Sequence, residues 1–256
     1  MIDGRLKARI RRLLPKRVWP HRILSGPLRG FRIVTSWHDY PAAILGRTER
    51  ALLDWFEHNV SAGETWLDVG AHYGYTAIAL SRLVGPAGRV FAFEPMAATA
   101  GHLARTRTLN RLSQLLVVPC GLGAPESLSL KQLPVVRGML DGTGSEDCTA
   151  SESFFVARLD WLWDRISGVR RRIDGLKIDV QGMETDALRG MVGLLREFTP
   201  KLVIEVHPAV DRRELLELLG SVGYAQGGVP VEPAPGEAEA AYLDDHSYSF
   251  RHVAQS

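Results

Sequence analysis

The sequence predicts an α/β fold, a doubly wound and mostly parallel sheet with helices on both faces. From residue 65 onward, short apolar runs alternate with stretches of helical period, the pattern of βα units around a parallel sheet. A glycine turn, Gly70 to Gly74, follows the first run directly. Carboxylates stand at the C-terminal ends of successive runs, the edge where open α/β sheets bind ligands.

Strands are expected at 66–69, 90–94, 115–120, 176–180 and 202–206, and helices near 75–84, 97–112, 184–198 and 212–222, the last closed by Gly223. Upstream, residues 23–25 and 31–34 flank the turn-rich 26–30 and read as a hairpin. Thr48 is a plausible N-cap for a helix with Leu52, Leu53, Phe56 and Val60 on one stripe. The Gly/Ser/Asp-rich segment 138–153 reads as a mobile loop able to cover a site, and 246–253 as a final strand in an antiparallel edge hairpin. The expected organisation is an appendage over 1–47, a basic helix and hairpin, followed by one domain over 48–256.

The 256 residues carry 31 Lys+Arg against 29 Asp+Glu, so the whole molecule has no field suited to gripping a phosphate backbone, and nucleic acid is not the expected partner. Two cysteines, Cys120 and Cys148, are too few for a disulfide framework, and no secretory or long apolar segment is evident, so a cytoplasmic protein is expected. The charge is uneven: Arg5, Lys7, Arg9, Arg11, Arg12, Lys16, Arg17 and Arg22 crowd the start, with Leu6, Ile10, Leu13 and Leu14 at helical spacing between them. Such a helix either packs, solvated, on the domain or makes a peripheral contact with an anionic membrane; alone it would bind membrane only marginally.

The chemistry concentrates at the strand ends. Asp68, Gly70, Ala71, His72, Tyr73 and Gly74 form the first turn, Asp-x-Gly-x-x-x-Gly, in which His72 stands where a dinucleotide fingerprint needs glycine. The pattern suits a ligand bearing an ammonium or sulfonium better than a diphosphate. Glu94, followed by Pro95, ends the second strand, where a carboxylate can accept both hydroxyls of a ribose; the alternative is a charge on the next helix dipole. Cys120 and Gly121 would wall an adenine pocket, or Cys120 is a buried structural thiol.

The fourth strand delivers Asp179, with Glu184 in the first turn of the next helix, and the fifth delivers Glu205 and His207. Asp179, Glu184 and His207 are the candidate catalytic residues: acids near a sulfonium methyl group can take an acceptor proton or orient the acceptor, and a histidine can act as base near neutral pH. Glu184 is equally read as a helix-dipole acid. Asp179, Glu205 and His207 could ligate a divalent metal, although no tight ligand spacing demands one and no metal ligand is assigned.

These residues resemble the FkbM family of class I methyltransferases. The resemblance runs from about Gly30 through His207, on Leu67-Asp68-Val69-Gly70-Ala71-His72-Tyr73-Gly74-Tyr75, Phe93-Glu94-Pro95, Leu159-Asp160 and, most distinctively, Leu176-Lys177-Ile178-Asp179-Val180-Gln181-Gly182-Met183-Glu184. It implies a Rossmann-like seven-stranded sheet with the last strand antiparallel, S-adenosylmethionine over the first two strand ends, and O-methylation of a hydroxyl on a sugar, glycolipid or natural product. Gln181 stands where the family usually has glutamate, and His72 where it usually has asparagine. The alternatives are a nicotinamide-dependent oxidoreductase, disfavoured by His72, and a non-catalytic nucleotide-binding protein of the same fold. A nucleic-acid adenine methyltransferase is disfavoured because the chain has no Pro-Pro pair.

Overall fold

The computed structural model describes residues 13–136, 139–140, 150–168, 171–237 and 239–253. Most of the expected basic helix, residues 1–12, lies outside them.

The chain enters through an antiparallel hairpin of β1 (Trp19–Arg22) and β2 (Arg32–Thr35), then α1 (Pro41–Leu45) and α2 (Arg50–Asn59). The βα succession follows: β3 (Thr65–Val69), α3 (Tyr75–Val84), β4 (Arg89–Phe93), α4 (Ala97–Leu109) and β5 (Leu115–Val118). A small sheet is inserted next, from β6 (Gly121–Leu122), β7 (Ser129–Val136), β8 (Met139–Leu140) and β9 (Ala150–Ala157). The chain returns through α5 (Leu159–Ile166), β10 (Gly175–Ile178), α6 (Glu184–Arg189), α7 (Val192–Phe198), β11 (Lys201–Val206), α8 (Arg212–Ser221), β12 (Val229–Pro230) and β13 (His246–Phe250). Seven strands form the main sheet in the order β12-β13-β11-β10-β3-β4-β5, parallel except where β13 runs antiparallel to β11 and β12.

Strand alternation builds one core on each face. Leu67, Val69, Phe91 and Phe93 point into a cluster with Trp163, Leu188, Leu195 and Leu215 of α5 to α8. Their neighbours Trp66, Val90 and Ala92 point the other way, against Leu52 and Phe56 of α2, Ile78 of α3 and Leu103 of α4. Ile23, Leu28, Ile33, Ala43 and Ile44 belong to this second cluster.

Several sequence expectations need correction. The hairpin's first strand is 19–22 rather than 23–25, although Ile23 still exchanges backbone hydrogen bonds with Phe31 and Gly30. Thr48 does not cap α2; Glu49 occupies that position, left-handed at φ 54°, with no side-chain cap. The single helix expected over 184–198 is two. A Cβ on Gly190 would stand 1.9 Å from the Gly123 carbonyl oxygen, so the chain turns there beside β6. The Asp160 carboxylate then accepts the N–H groups of Gly193 and Leu194 at 3.1 and 3.0 Å, starting α7 afresh. The expected loop 138–153 contains β8 and the start of β9, paired through β7; residues 141–149 lie outside the described residues. Its polar composition hid the strands because one face of this small sheet is exposed, with Leu130 and Phe155 at 65% and 55%.

Candidate active site

At the C-terminal ends of β3, β4, β10 and β11 the structure holds a cavity of about 300 Å³, within the usual size of a small-ligand site. Gly70, Ala71, His72, Glu94, Pro95, Cys120 and Gly121 line one side, and Asp179, Gln181, Lys177 and Glu205 another. Two further walls come from outside the strand ends: Asp39, Tyr40 and Glu49 from the segment after β2, and Lys131, Met139, Leu140, Phe154 and Val156 from the small sheet.

The glycine turn is fixed first by chain packing. Gly70 has φ +82°, and a Cβ there would lie 1.7 Å from the Asp179 carbonyl oxygen; Gly74 has φ +91°, and its Cβ would meet Leu103 at 2.1 Å. Gly70 therefore brings the β3 turn into direct contact with the end of β10. Three non-glycine residues on the cavity wall, Glu49, His72 and Gln181, also adopt left-handed backbone, at φ 54°, 49° and 53°. Such conformations cost about 1–3 kcal/mol each and collect at functional sites.

Glu94 is buried and anchored. One carboxylate oxygen accepts the His72 N–H and the other the Met96 N–H, both at 2.9 Å, so the acid ties the first two strand-end loops together. Burial pushes it up to about 7, against the pull of those two N–H groups. Each oxygen keeps acceptor capacity for a ligand hydroxyl.

Asp68, Tyr73 and Gly74 are not on the cavity wall. Asp68 is fully buried, accepts the Thr76 hydroxyl at 2.7 Å and pairs with Lys177 at 3.3 Å. Tyr73 is also buried, its hydroxyl donating to Asp39 at 3.0 Å. Lys177 is 4% exposed and lies 3.1 Å from Asp179, donating also to the Gly70 carbonyl at 3.2 Å. Burial disfavours its ammonium, but the charges of Asp179, Asp68, Glu49 and Glu205 outweigh that and hold it protonated.

Of the three candidate catalytic residues, Asp179 alone lines the cavity. Burial opposes its charge, yet Lys177 and His207 together hold its carboxyl well below the usual range. Glu184 is fully buried, and one oxygen accepts the N–H groups of Val180 and Gly182 at 3.3 and 3.2 Å and His207 Nδ1 at 2.6 Å. His207 is 2% exposed, its Nε2 standing 2.8 Å from the Gln181 amide, 3.5 Å from Asp179 and 3.6 Å from Glu205. Burial lowers its affinity for a proton, but the Glu184 bond and the surrounding acids push it up to about 9. Glu205 is pushed up to about 8, first by the charge of Asp179, then by burial and by Glu49.

Sequence reasoning does not single out Lys177, Glu49 or Lys131, Phe154 and Val156 of the small sheet, although it does read 138–153, with Met139 and Leu140, as able to cover a site. Lys177 had a signal, a charge inside a buried apolar strand; Glu49 had none, because its place on the wall depends on how α1 and α2 fold back.

A mostly parallel sheet of this strand order, with an acid-lined cavity at its strand ends, is the Rossmann-like class I methyltransferase fold, and the family the chain matches makes it an S-adenosylmethionine-dependent methyltransferase. The methyltransferase FkbM domain model matches residues 68–225, and the chain belongs to that family. It is similar to methyltransferase sdnD of Sordaria araneosa, 28% identical over 198 residues that cover 65% of this chain and 75% of the other. A methyltransferase FkbM from Methylobacillus flagellatus superposes with a TM-score of 0.50 at 19% identity, covering 77% of this chain; the chain spans 50% of that structure's length. Fibrillarin of Aeropyrum pernix, solved with natively bound S-adenosyl-L-methionine, gives a TM-score of 0.49 at 17% identity, covering 90% of this chain and 87% of the other.

Proposed function

We propose that the protein is an O-methyltransferase that methylates a hydroxyl of a sugar, glycolipid or natural product. The observation that carries the reading is the contact between Gly70 and Asp179, which sets a cofactor-side turn and a cavity-facing carboxylate side by side. In this reading Glu94 takes the ribose hydroxyls, Ala71 and His72 border the ligand, and Cys120 and Gly121 lie along the adenine. When bound, S-adenosylmethionine supplies an electrophilic methyl group.

Asp179, kept ionised by Lys177, accepts a hydrogen bond from the acceptor hydroxyl and orients it. Glu205 on the neighbouring strand, pushed up to about 8, is the stronger proton acceptor once ionised. His207, pushed up to about 9, is protonated at neutral pH and holds Asp179 by its charge rather than taking the proton. Glu184 holds that imidazolium. The test is release of S-adenosylhomocysteine with a panel of hydroxyl-bearing sugars, glycolipids and polyketides. Asp179→Asn should lower turnover on an accepted substrate by about 10²-fold while S-adenosylhomocysteine affinity stays within a few-fold. Near-normal turnover in that variant would remove Asp179 from the chemistry, and tighter binding of NADH than of S-adenosylhomocysteine would favour the oxidoreductase.

A second reading adds a divalent cation, because ligand atoms of Asp179, Glu205 and His207 lie within 4.8 Å of one another. Those three residues would hold it, and it would polarise the acceptor oxygen. Loss of turnover with a chelator, restored by magnesium or manganese, is its test.

A further inference from the structure

Charge is sharply segregated along this chain. Residues 4–38 hold ten Lys and Arg and no acid, and residues 95–125 hold Arg105, Arg107 and Arg111 and no acid, while the rest carries 18 Lys and Arg against 29 Asp and Glu. The fold brings residues 13–38 against the second acid-free segment. The Val34 N–H donates to the Thr106 hydroxyl at 2.9 Å, and Asn110 of α4 exchanges hydrogen bonds with the backbone of Arg32. Trp19 is 51% exposed, with the guanidinium of Arg17 4.9 Å from its ring centroid and that of Arg105 5.8 Å away. Arg22 and Arg32 are exposed on the same hairpin, and Arg111 in the turn just after α4. One end of this face lies beside the cavity wall. Trp19 pairs with Thr35, four residues before Asp39 on the cavity wall, and α4 begins just after Glu94 and Pro95.

We infer that the β1–β2 hairpin and α4 form a docking face for an anionic phospholipid bilayer, which would present a lipid-linked hydroxyl to the cavity. Only that last step rests on the acceptor reading above. Charge complementarity calls for a polyanion, and the exposed apolar residues among the cations choose between polyanions. Leu13 and Leu24 are 86% and 54% exposed; a leucine has no π-face to stack on a base, whereas it gains by burial at the acyl boundary. A tryptophan flanked by guanidinium groups matches the headgroup level, where an amphipathic ring and cations both find partners. No helix among the described residues is long and apolar enough to cross a membrane, so the contact is peripheral.

The test is cosedimentation of the full chain with vesicles of phosphatidylcholine alone or mixed with phosphatidylglycerol. Binding is expected only to the mixed vesicles and should weaken as salt is raised. Arg17→Gln and Arg105→Gln should each lower partitioning by about fivefold, the effect of one cation at an anionic surface. Trp19→Ala should lower it further while keeping the salt dependence. Each variant must still be stabilised by S-adenosylhomocysteine, which separates loss of docking from loss of the fold or of the methyltransferase reading. Equal binding to both vesicles, or partitioning unchanged in Arg105→Gln, would overturn the inference. So would a single-stranded RNA oligonucleotide that binds this face while the vesicles do not.

Discussion

The Lys177 ammonium lies 3.1 Å from Asp179, just past the end of its own strand, and 3.3 Å from Asp68 on β3, almost out of contact with solvent. One buried cation thereby pairs with two acids and joins β3 to the end of β10. Removing a single partner from such a cluster leaves charge buried without compensation, at a cost of about 3–5 kcal/mol. Lys177→Met should lose that much unfolding free energy in urea denaturation, despite its apolar replacement. A loss below about 1 kcal/mol would mean that water compensates the acids and that Lys177 is not what ties β3 to β10.

Acid–base behaviour follows from the same cluster. Glu205 is pushed up to about 8 and His207 up to about 9, so at pH 7 the glutamate is largely protonated and the imidazole charged. If Glu205 receives the acceptor proton it must be ionised, and kcat should rise with pH through about 8. Glu205→Gln should lower kcat and flatten that limb. His207→Gln should keep a rising limb but move it to higher pH, because the imidazolium charge lowers Glu205. A rising limb that vanishes in His207→Gln and survives in Glu205→Gln would reverse the assignment.

Glu94 gives a prediction about binding rather than rate. Glu94→Ala should weaken S-adenosylhomocysteine binding by about 1.5–3 kcal/mol, the worth of charged hydrogen bonds, in a calorimetric titration. The wild-type affinity should itself fall as pH drops through about 7, where Glu94 takes up a proton and loses acceptor strength. Affinity unchanged in the variant would place the ribose elsewhere in the cavity.

Much of this is legible in the sequence. The apolar runs located β3, β4, β5, β10 and β11 because parallel strands buried on both faces are continuously hydrophobic, and an acid just past such a run has few reasons to be there. That logic found Glu94 and Asp179, both on the cavity wall. It did not separate them from Asp68, whose strand-end position looks equivalent but whose side chain is consumed by Lys177 and Thr76. Asp160 enters the sequence reading only through the Leu159-Asp160 resemblance; in the structure its carboxylate holds the start of α7 against α5. The small sheet escaped notice because alternation with one exposed face and interspersed Ser and Glu reads as loop.

The beginning of the chain carries the last prediction. The sequence reading made residues 1–47 an appendage, and a deletion series tests where that description stops. Ile23, Leu28, Ile33, Ala43 and Ile44 are each at most 1% exposed and share a cluster with Phe56, Trp66 and Ile78. Tyr40 stands on the cavity wall, and Asp39 lies there too while receiving the Tyr73 hydroxyl. Removing residues 1–12 takes away none of these groups, so that truncation should keep the wild-type melting temperature and its rise with S-adenosylhomocysteine. Removing 1–47 deletes the large buried side chains of Ile23, Leu28, Ile33, Val34 and Ile44 at about 1.5–3 kcal/mol each, together as much as a domain's usual margin of stability. The longer truncation should therefore be insoluble or unfolded by circular dichroism. If it instead folds and binds cofactor normally, the hairpin and α1 are dispensable additions, and the second core closes on α2 and α3 alone.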